Sequence, residues 1–130
     1  MDQIRARTTL LSWDADKRVA VLRYEAETRS TGEDAKPLVA ALRQWVGTQN
    51  ETFFFLHDCG PLLHMDTEYR AIWWDLFRPY RDSAWIALYN LRPFIKILAE
   101  MYFVATGLKM KVFDNEEVAR AWLREKGAAI

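Results

Sequence analysis

The order of apolar and polar stretches along the chain predicts alternating strands and helices. Residues 8–13 and 18–25 are rich in β-branched, aromatic and aliphatic side chains, and the polar residues 14–17 between them supply a turn. This pattern predicts a β-hairpin. The continuous apolar run over residues 52–56 predicts a strand that is covered on both faces. Two further strands are predicted over residues 83–89 and 110–113.

The first and the last of four predicted helices have apolar residues at helical spacing. The predicted core positions of the first helix are Leu38, Leu42, Trp45 and Val46. Asp34 is its expected N-cap, Pro37 would lie in the first turn, and Gly47 would end the helix. The predicted core positions of the last helix are Val118, Ala121 and Trp122. Asp114 is expected to cap that helix.

The second and third helices are predicted in the same way. The predicted core positions of the second helix are Tyr69, Ile72, Trp73, Leu76 and Phe77. Asp66 or Thr67 is able to accept hydrogen bonds from the free amides at its start. The predicted core positions of the third helix are Phe94, Leu98, Met101, Tyr102 and Ala105. Gly107 is expected to end it.

The resulting element order is ββαβαβαβα, within one domain over residues 1–130. Strands that alternate with helices require right-handed crossovers and a mainly parallel sheet. The sequence therefore predicts an α/β fold, with a four- to five-stranded sheet in which the hairpin adds one antiparallel strand. Sites in such folds lie at the carboxyl ends of the strands.

Composition narrows the class of protein. Eighteen basic and 18 acidic side chains cancel, so no net positive field favours nucleic acid. One cysteine forms no internal disulfide, and the start of the chain lacks the apolar core of a secretory signal. The longest apolar stretch, residues 94–108, is too short to cross a bilayer and contains Lys96 and Glu100. We expect a cytoplasmic protein without stable membrane insertion.

The segment HDCGPLLHMDTEYR follows the central strand and contains the only cysteine and both histidines. His57, Cys59 and His64 are possible zinc ligands, but structural zinc sites use four ligands in paired short spacings. Cys59 could also be a nucleophile, although no known catalytic motif surrounds it. The alternative is that Cys59 is a small buried residue and His57 a polar group at a strand end. We therefore expect no enzyme, no metal and no cofactor.

Aromatic residues are abundant, with six Trp, seven Phe and five Tyr. Most are expected in the core. Trp74 follows the core residue Trp73 on the second helix and is expected at the margin of its apolar stripe, where it could belong to a contact surface. A cavity for an apolar ligand is the alternative. Its expected lining residues are Tyr80, Tyr89, Tyr102 and Phe103.

The element order and three short segments resemble the STAS domain family. The segments are HDCG after the third predicted strand, MDTEYRAIWW at the start of the second helix, and VFDNEEVARAWL near the end. This family groups anti-sigma-factor antagonists with cytoplasmic domains of sulphate transporters, and the closing segment is similar to its STAS/SEC14-like bacterial branch. The resemblance spans residues 8–123 and implies a STAS-like fold.

In phosphoregulated members of that family, the second helix opens with Asp-Ser-Ser-Gly, and the second serine is phosphorylated by a partner kinase. The motif falls here on Asp66, Thr67, Glu68 and Tyr69. Glu68 thus occupies the phosphate-accepting position, where a helix N-terminus favours negative charge. Either the switch is lost or Glu68 holds its charge permanently, and Thr67 is the remaining candidate phospho-acceptor.

The resemblance implies a non-enzymatic regulatory module that binds a protein partner, a kinase or an anti-sigma-like regulator. The expected binding surface is the loop before the second helix together with the start and margin of that helix. Its expected residues are Asp58, Cys59, His64, Asp66, Thr67, Glu68 and Trp74. The alternative is a carrier or sensor of a small apolar, lipid-like ligand. The sequence does not decide between a monomer and a homodimer.

Overall fold

Eight strands are present in the computed structural model, which describes residues 1–130. They are β1 (Asp2–Ala6), β2 (Thr9–Asp14), β3 (Val19–Tyr24), β4 (Thr28–Ser30), β5 (Phe53–Asp58), β6 (Leu62–Met65), β7 (Ala84–Tyr89) and β8 (Lys109–Phe113). Six of them form the main sheet in the order β1-β2-β3-β5-β7-β8. Strands β1, β2 and β3 pair antiparallel, whereas β3, β5, β7 and β8 run parallel.

The helices are α1 (Gly32–Val46), α2 (Thr67–Phe77), α3 (Pro93–Thr106) and α4 (Glu116–Glu125), with a 3-10 turn over Arg78–Tyr80. Successive side chains of a strand point to opposite faces. Phe53 and Phe55 of β5 pack in the core that α1, α2 and α3 cover. Phe54 and Leu56 pack in the smaller core beneath α4. The continuous apolar run is thus covered on both faces.

Three short strands add to the predicted order. The edge strand β1 is largely exposed and polar, so it lacks the apolar pattern that indicates a strand. Strands β4 and β6 form a separate, parallel two-stranded sheet. The main sheet therefore has six strands, rather than four or five, because edge pairing does not need an apolar face.

The N-cap of α1 differs from the prediction. Thr31 occupies the cap position, and the Asp34 carboxylate accepts hydrogen bonds from the Thr31 amide at 2.9 Å and from Arg7 Nε at 2.6 Å. Burial alone would raise the pKa of Asp34, but the bonds from Arg7 and Thr31 outweigh it and lower the pKa. Pro37 lies inside α1 rather than in its first turn. Asp34 thus anchors Arg7, which directly follows β1, to the start of α1.

The N-cap of α4 is Asn115 and not Asp114. The Asn115 side chain accepts from the Val118 amide at 3.0 Å. Replacing Asn115 by alanine is expected to lower the free energy of unfolding by about 1 kcal/mol, because this amide loses its acceptor. Urea unfolding measures the difference. Asp114→Ala is the matched control, with an expected change below about 0.5 kcal/mol; the opposite ranking would restore Asp114 as the cap.

Two predicted helix faces are rotated in the structure. Helix α3 buries Ile95 and Ala99, while Phe94 is 64% and Met101 61% exposed. Apolar residues occupy nearly every position of α3, so spacing alone does not distinguish its faces. Helix α4 buries Ala119 and Leu123. In α4, Val118 and Ala121 are exposed and Trp122 is half-buried. None of the helices combines the length and hydropathy of a bilayer-spanning segment.

Candidate functional site

Most of the segment between β5 and α2 has regular structure and is not a free loop. Residues 59–61 form a turn, in which the Leu62 amide donates to the Cys59 carbonyl at 3.1 Å and the Gly60 amide to Asp58 Oδ1 at 2.9 Å. The following residues form β6, which pairs with β4. This part of the predicted recognition loop is therefore a strand, because the polar segment before α1 supplies its pairing partner.

Cys59 lies in the core and is only 1% exposed. Burial raises the pKa of its thiol, and the neighbouring charge of Asp58 adds to the rise. Such a thiol stays protonated, and the thiolate is the nucleophilic form. Cys59 was predicted to contact a partner, but its side chain does not reach the surface, so it is left out of the surface proposed below.

His57 belongs to a buried row of hydrogen-bonded side chains. Its Nε2 lies 2.8 Å from the Tyr24 hydroxyl, which lies 3.0 Å from the Tyr69 hydroxyl. Burial lowers the pKa of His57 to about 3 and raises the pKa of Tyr69 to about 12. All three groups are therefore neutral near pH 7. Because Tyr69 is in the first turn of α2, this row ties the start of the helix to β3 and β5.

The structure does not bring the predicted zinc ligands together. His64 is exposed on β6, opposite Arg29 of β4, whereas His57 and Cys59 are buried. No group of three or more His, Cys, Asp or Glu side chains has the arrangement of a metal site. What the segment does supply is a fixed connection between the central strand and the start of α2.

Asp66 caps α2, as one of the two predicted alternatives. Its Oδ1 accepts from the Tyr69 amide at 2.7 Å, and its own amide donates to the Ser30 carbonyl at 3.1 Å. Thr67 and Glu68 follow with exposed side chains in the first turn. The Asp66 cap thus holds both residues at the surface, at the positive end of the helix dipole.

The Glu68 side chain lies against the start of α1. A Cβ atom at Gly32 would overlap the Glu68 carboxylate, so only glycine permits this approach. Glu68 Oε1 lies 3.6 Å from Lys36 Nζ. The carboxylate therefore stands near the N-termini of two helices, where their partial positive charges favour an anion. This placement fits the interpretation of Glu68 as a permanent charge.

Trp74 is half-buried at the margin of the α2 stripe, as predicted. The Arg78 guanidinium lies 5.1 Å from its ring centroid. Trp74 is seven positions after Thr67. The two side chains therefore share a helix face and lie about 10 Å apart along the helix axis. Thr67 and Trp74 thus belong to one surface, with Glu68 beside it.

An apolar cavity of about 110 Å³ lies between α2, α3 and the sheet. Of the four aromatic residues expected to line a cavity, Tyr102 does so. Tyr80 instead donates to the Gly47 carbonyl and Tyr89 to Glu116. No role was predicted for Arg70, which is the one charged residue at the cavity. Arg70 lies three residues before the core residue Trp73, and this spacing indicates that the two side chains are neighbours on α2.

Two solved structures resemble this chain. One is an uncharacterized protein of the DUF3478 family from Shewanella loihica PV-4 with a SpoIIAA-like fold, at a TM-score of 0.66 and 14% identity over 94% of this chain and 90% of that chain. The other is the anti-sigma factor antagonist SpoIIAA in its unphosphorylated form, at a TM-score of 0.61 and 18% identity over 92% of this chain and 98% of that one. No protein-family model and no curated protein matches the chain.

These likenesses confirm the predicted fold. The chain has a mixed α/β, SpoIIAA-like fold of the STAS type, with a mostly parallel sheet, an antiparallel hairpin and four helices. Neither similar protein is described as an enzyme. The fold is thus one that a known regulatory protein uses.

Proposed function

We propose that this chain is a non-enzymatic regulatory module that binds a protein partner through the start of α2. The observation that carries the proposal is the position of the Glu68 carboxylate, exposed and held near the N-termini of α1 and α2. SpoIIAA has the same fold and is an anti-sigma factor antagonist. By analogy, the proposed partner is an anti-sigma-like regulator or a kinase, and the proposed location is the cytoplasm.

The proposed binding surface has three parts. The exposed His64 of β6 and the half-buried Asp58 lie before α2. Thr67 and Glu68 form the exposed first turn, above the Asp66 cap. Trp74 contributes a half-buried ring on the same helix face as Thr67. A ring beside charged groups is a combination that is common at protein interfaces.

Thr67 is the proposed phospho-acceptor of this surface. Its hydroxyl is exposed and receives only a long hydrogen bond, 3.3 Å, from an Arg70 nitrogen. The adjacent Glu68 already holds negative charge at the helix start. Phosphorylation of Thr67 would add more negative charge there and so change the charge that a partner surface meets.

Replacing Glu68 by arginine is expected to weaken the partner complex at least about tenfold, or about 1.4 kcal/mol. The variant reverses the charge at the helix start and removes the contact with Lys36. The measurement is affinity capture from the native cells with mass spectrometry, followed by titration of the purified partner. A stoichiometric partner that binds the wild type and is lost with the variant supports the proposal.

Glu117→Arg is the matched control, because Glu117 holds the corresponding second position of α4 and is also exposed. This variant makes the same charge change at another helix start and is expected to keep full affinity. A partner that binds Glu68→Arg as tightly as the wild type would contradict the proposed surface. Equal losses in both variants would indicate a general charge effect and would also contradict it.

A second candidate function is supported by the cavity between α2 and α3. We propose as the alternative that the protein carries or senses a small apolar ligand there. Sixteen of the 18 lining residues are hydrophobic, which is typical of ligand pockets. The two functions involve different parts of α2, since the cavity lies on its buried face and the partner surface on its exposed start.

A further inference from the structure

The cavity limits the size of its occupant. Its volume is about 110 Å³, and an apolar cavity of about 150 Å³ is known to accept benzene. The enclosed body of the occupant is therefore at most the size of a single ring or a short alkyl chain. Side chains of α3 that cover the cavity are Ile95, Leu98, Ala99 and Tyr102. On that side the body of the occupant would contact mainly apolar atoms.

Two residues of α2 that line this cavity each carry a nitrogen donor without a hydrogen-bond partner. Trp73 is 8% exposed, and its indole N–H lies near the Tyr69 hydroxyl without forming a hydrogen bond of normal geometry. Arg70 Nε is buried and has no partner either. Unpaired buried donors are costly. They favour an acceptor that the protein itself does not supply.

The charge at the cavity comes from Arg70 alone. Arg70 takes part in none of the ion pairs of the structure. The other non-hydrophobic lining residue is His57, whose ring is neutral because burial lowers its pKa to about 3. Arg70 and Trp73 are three residues apart, so both lie on the same face of α2. Arg70 Nε and the Trp73 indole N–H are two donors for the two oxygens of a carboxylate, while a terminal nitrogen of Arg70 donates to Thr67 at 3.3 Å.

We infer that the cavity between α2 and α3 binds a small monocarboxylic acid, with its apolar body in the cavity and its carboxylate on Arg70 and Trp73. This inference rests on the second proposed function, that of a carrier or sensor. It goes beyond that function by assigning the head group of the ligand and the two side chains that select it.

Phenylacetate and 2-phenylethanol are the probes, because they share a ring and differ in the charge of the head group. Titration calorimetry measures their affinities, and the indole N–H signal of Trp73 in ¹H–¹⁵N spectra reports the site. The wild type is expected to bind phenylacetate at least about tenfold more tightly than the alcohol, since one charged pair is worth that much. The Trp73 signal is expected to shift with the acid.

Arg70→Gln keeps a polar side chain and removes the charge, so the preference for the acid is expected to disappear. Trp73→Phe keeps a ring, removes the N–H donor and identifies the indole signal. Arg78→Gln is the matched control, because Arg78 follows α2, is exposed and does not line the cavity. It is expected to retain the wild-type preference.

The outcomes separate the two ideas. Equal binding of the acid and the alcohol by the wild type would overturn the assigned head group and leave the carrier function standing. Failure of both probes to bind at millimolar concentration would overturn both. Binding of the acid with no Trp73 shift and no effect of Arg70→Gln would overturn the assigned site. An acid preference that only Arg70→Gln and Trp73→Phe reduce would support the inference.

Discussion

Replacing Phe55 by alanine is expected to lower the free energy of unfolding by about 3–5 kcal/mol. Phe55 is 2% exposed, and its ring centroid lies 5.1 Å from that of Phe77 and 5.5 Å from that of Trp73. Both partners belong to α2, so the substitution removes one of the contacts that hold this helix on the sheet. Truncating a large buried ring costs the protein the transfer free energy of the removed atoms and leaves a cavity in the core.

Urea unfolding of the purified variant measures this loss. Phe94→Ala is the matched control, because it removes the same ring from a position of α3 that is 64% exposed. Its expected cost is below about 1 kcal/mol. Similar costs for the two substitutions would show that α3 buries Phe94 in solution and that the helix face assigned here is wrong.

Acidification is expected to destabilise the protein through His57. Histidine in an unfolded chain has a pKa near 6.5, whereas burial lowers the pKa of His57 to about 3 in the folded state. Between these values the unfolded chain binds one proton more than the folded chain. Stability is therefore fully present above about pH 6.5 and falls by roughly 1.4 kcal/mol per pH unit below it.

Urea unfolding between pH 7.5 and pH 5 measures this slope. His57→Phe is expected to flatten it, whatever the variant loses at neutral pH through the missing bond to Tyr24. Carboxyl groups titrate near pH 4 and add little in this range. His64→Gln is the matched control at the exposed histidine and is expected to keep the slope. A slope that survives in His57→Phe would assign the acid sensitivity to another group.

The parts of the fold that depend on local chemistry were predictable from the sequence. The apolar run in β5, the Asp66 cap, and the glycines at positions 47 and 107 are all present as predicted. Each of these features follows from a few neighbouring residues. The helix cap needs a carboxylate three positions before a free amide, and the helix ends need the conformational freedom of glycine. These features led to the α/β order, which the structural likenesses confirm.

Helix faces were predictable only where apolar and polar positions alternate. The stripe of α2 is buried at Tyr69, Trp73 and Phe77 as predicted. In α3 the apolar residues surround the axis, and packing against β8 and the cavity, rather than spacing, decides that Ile95 faces inward and Phe94 outward. The burial of a residue in such a helix depends on where its neighbours lie.

For the candidate site, the sequence by itself determined that a helix opens at Asp66 or Thr67 and that Glu68 lies in its first turn. Only the tertiary structure decided that Glu68 covers Gly32, that Cys59 is buried, and that Arg70 and Trp73, each with an unpaired donor, line one cavity. A cap depends on hydrogen bonds within one turn of the chain. The other features join residues from separate elements, and their distances are set by how the helices pack on the sheet.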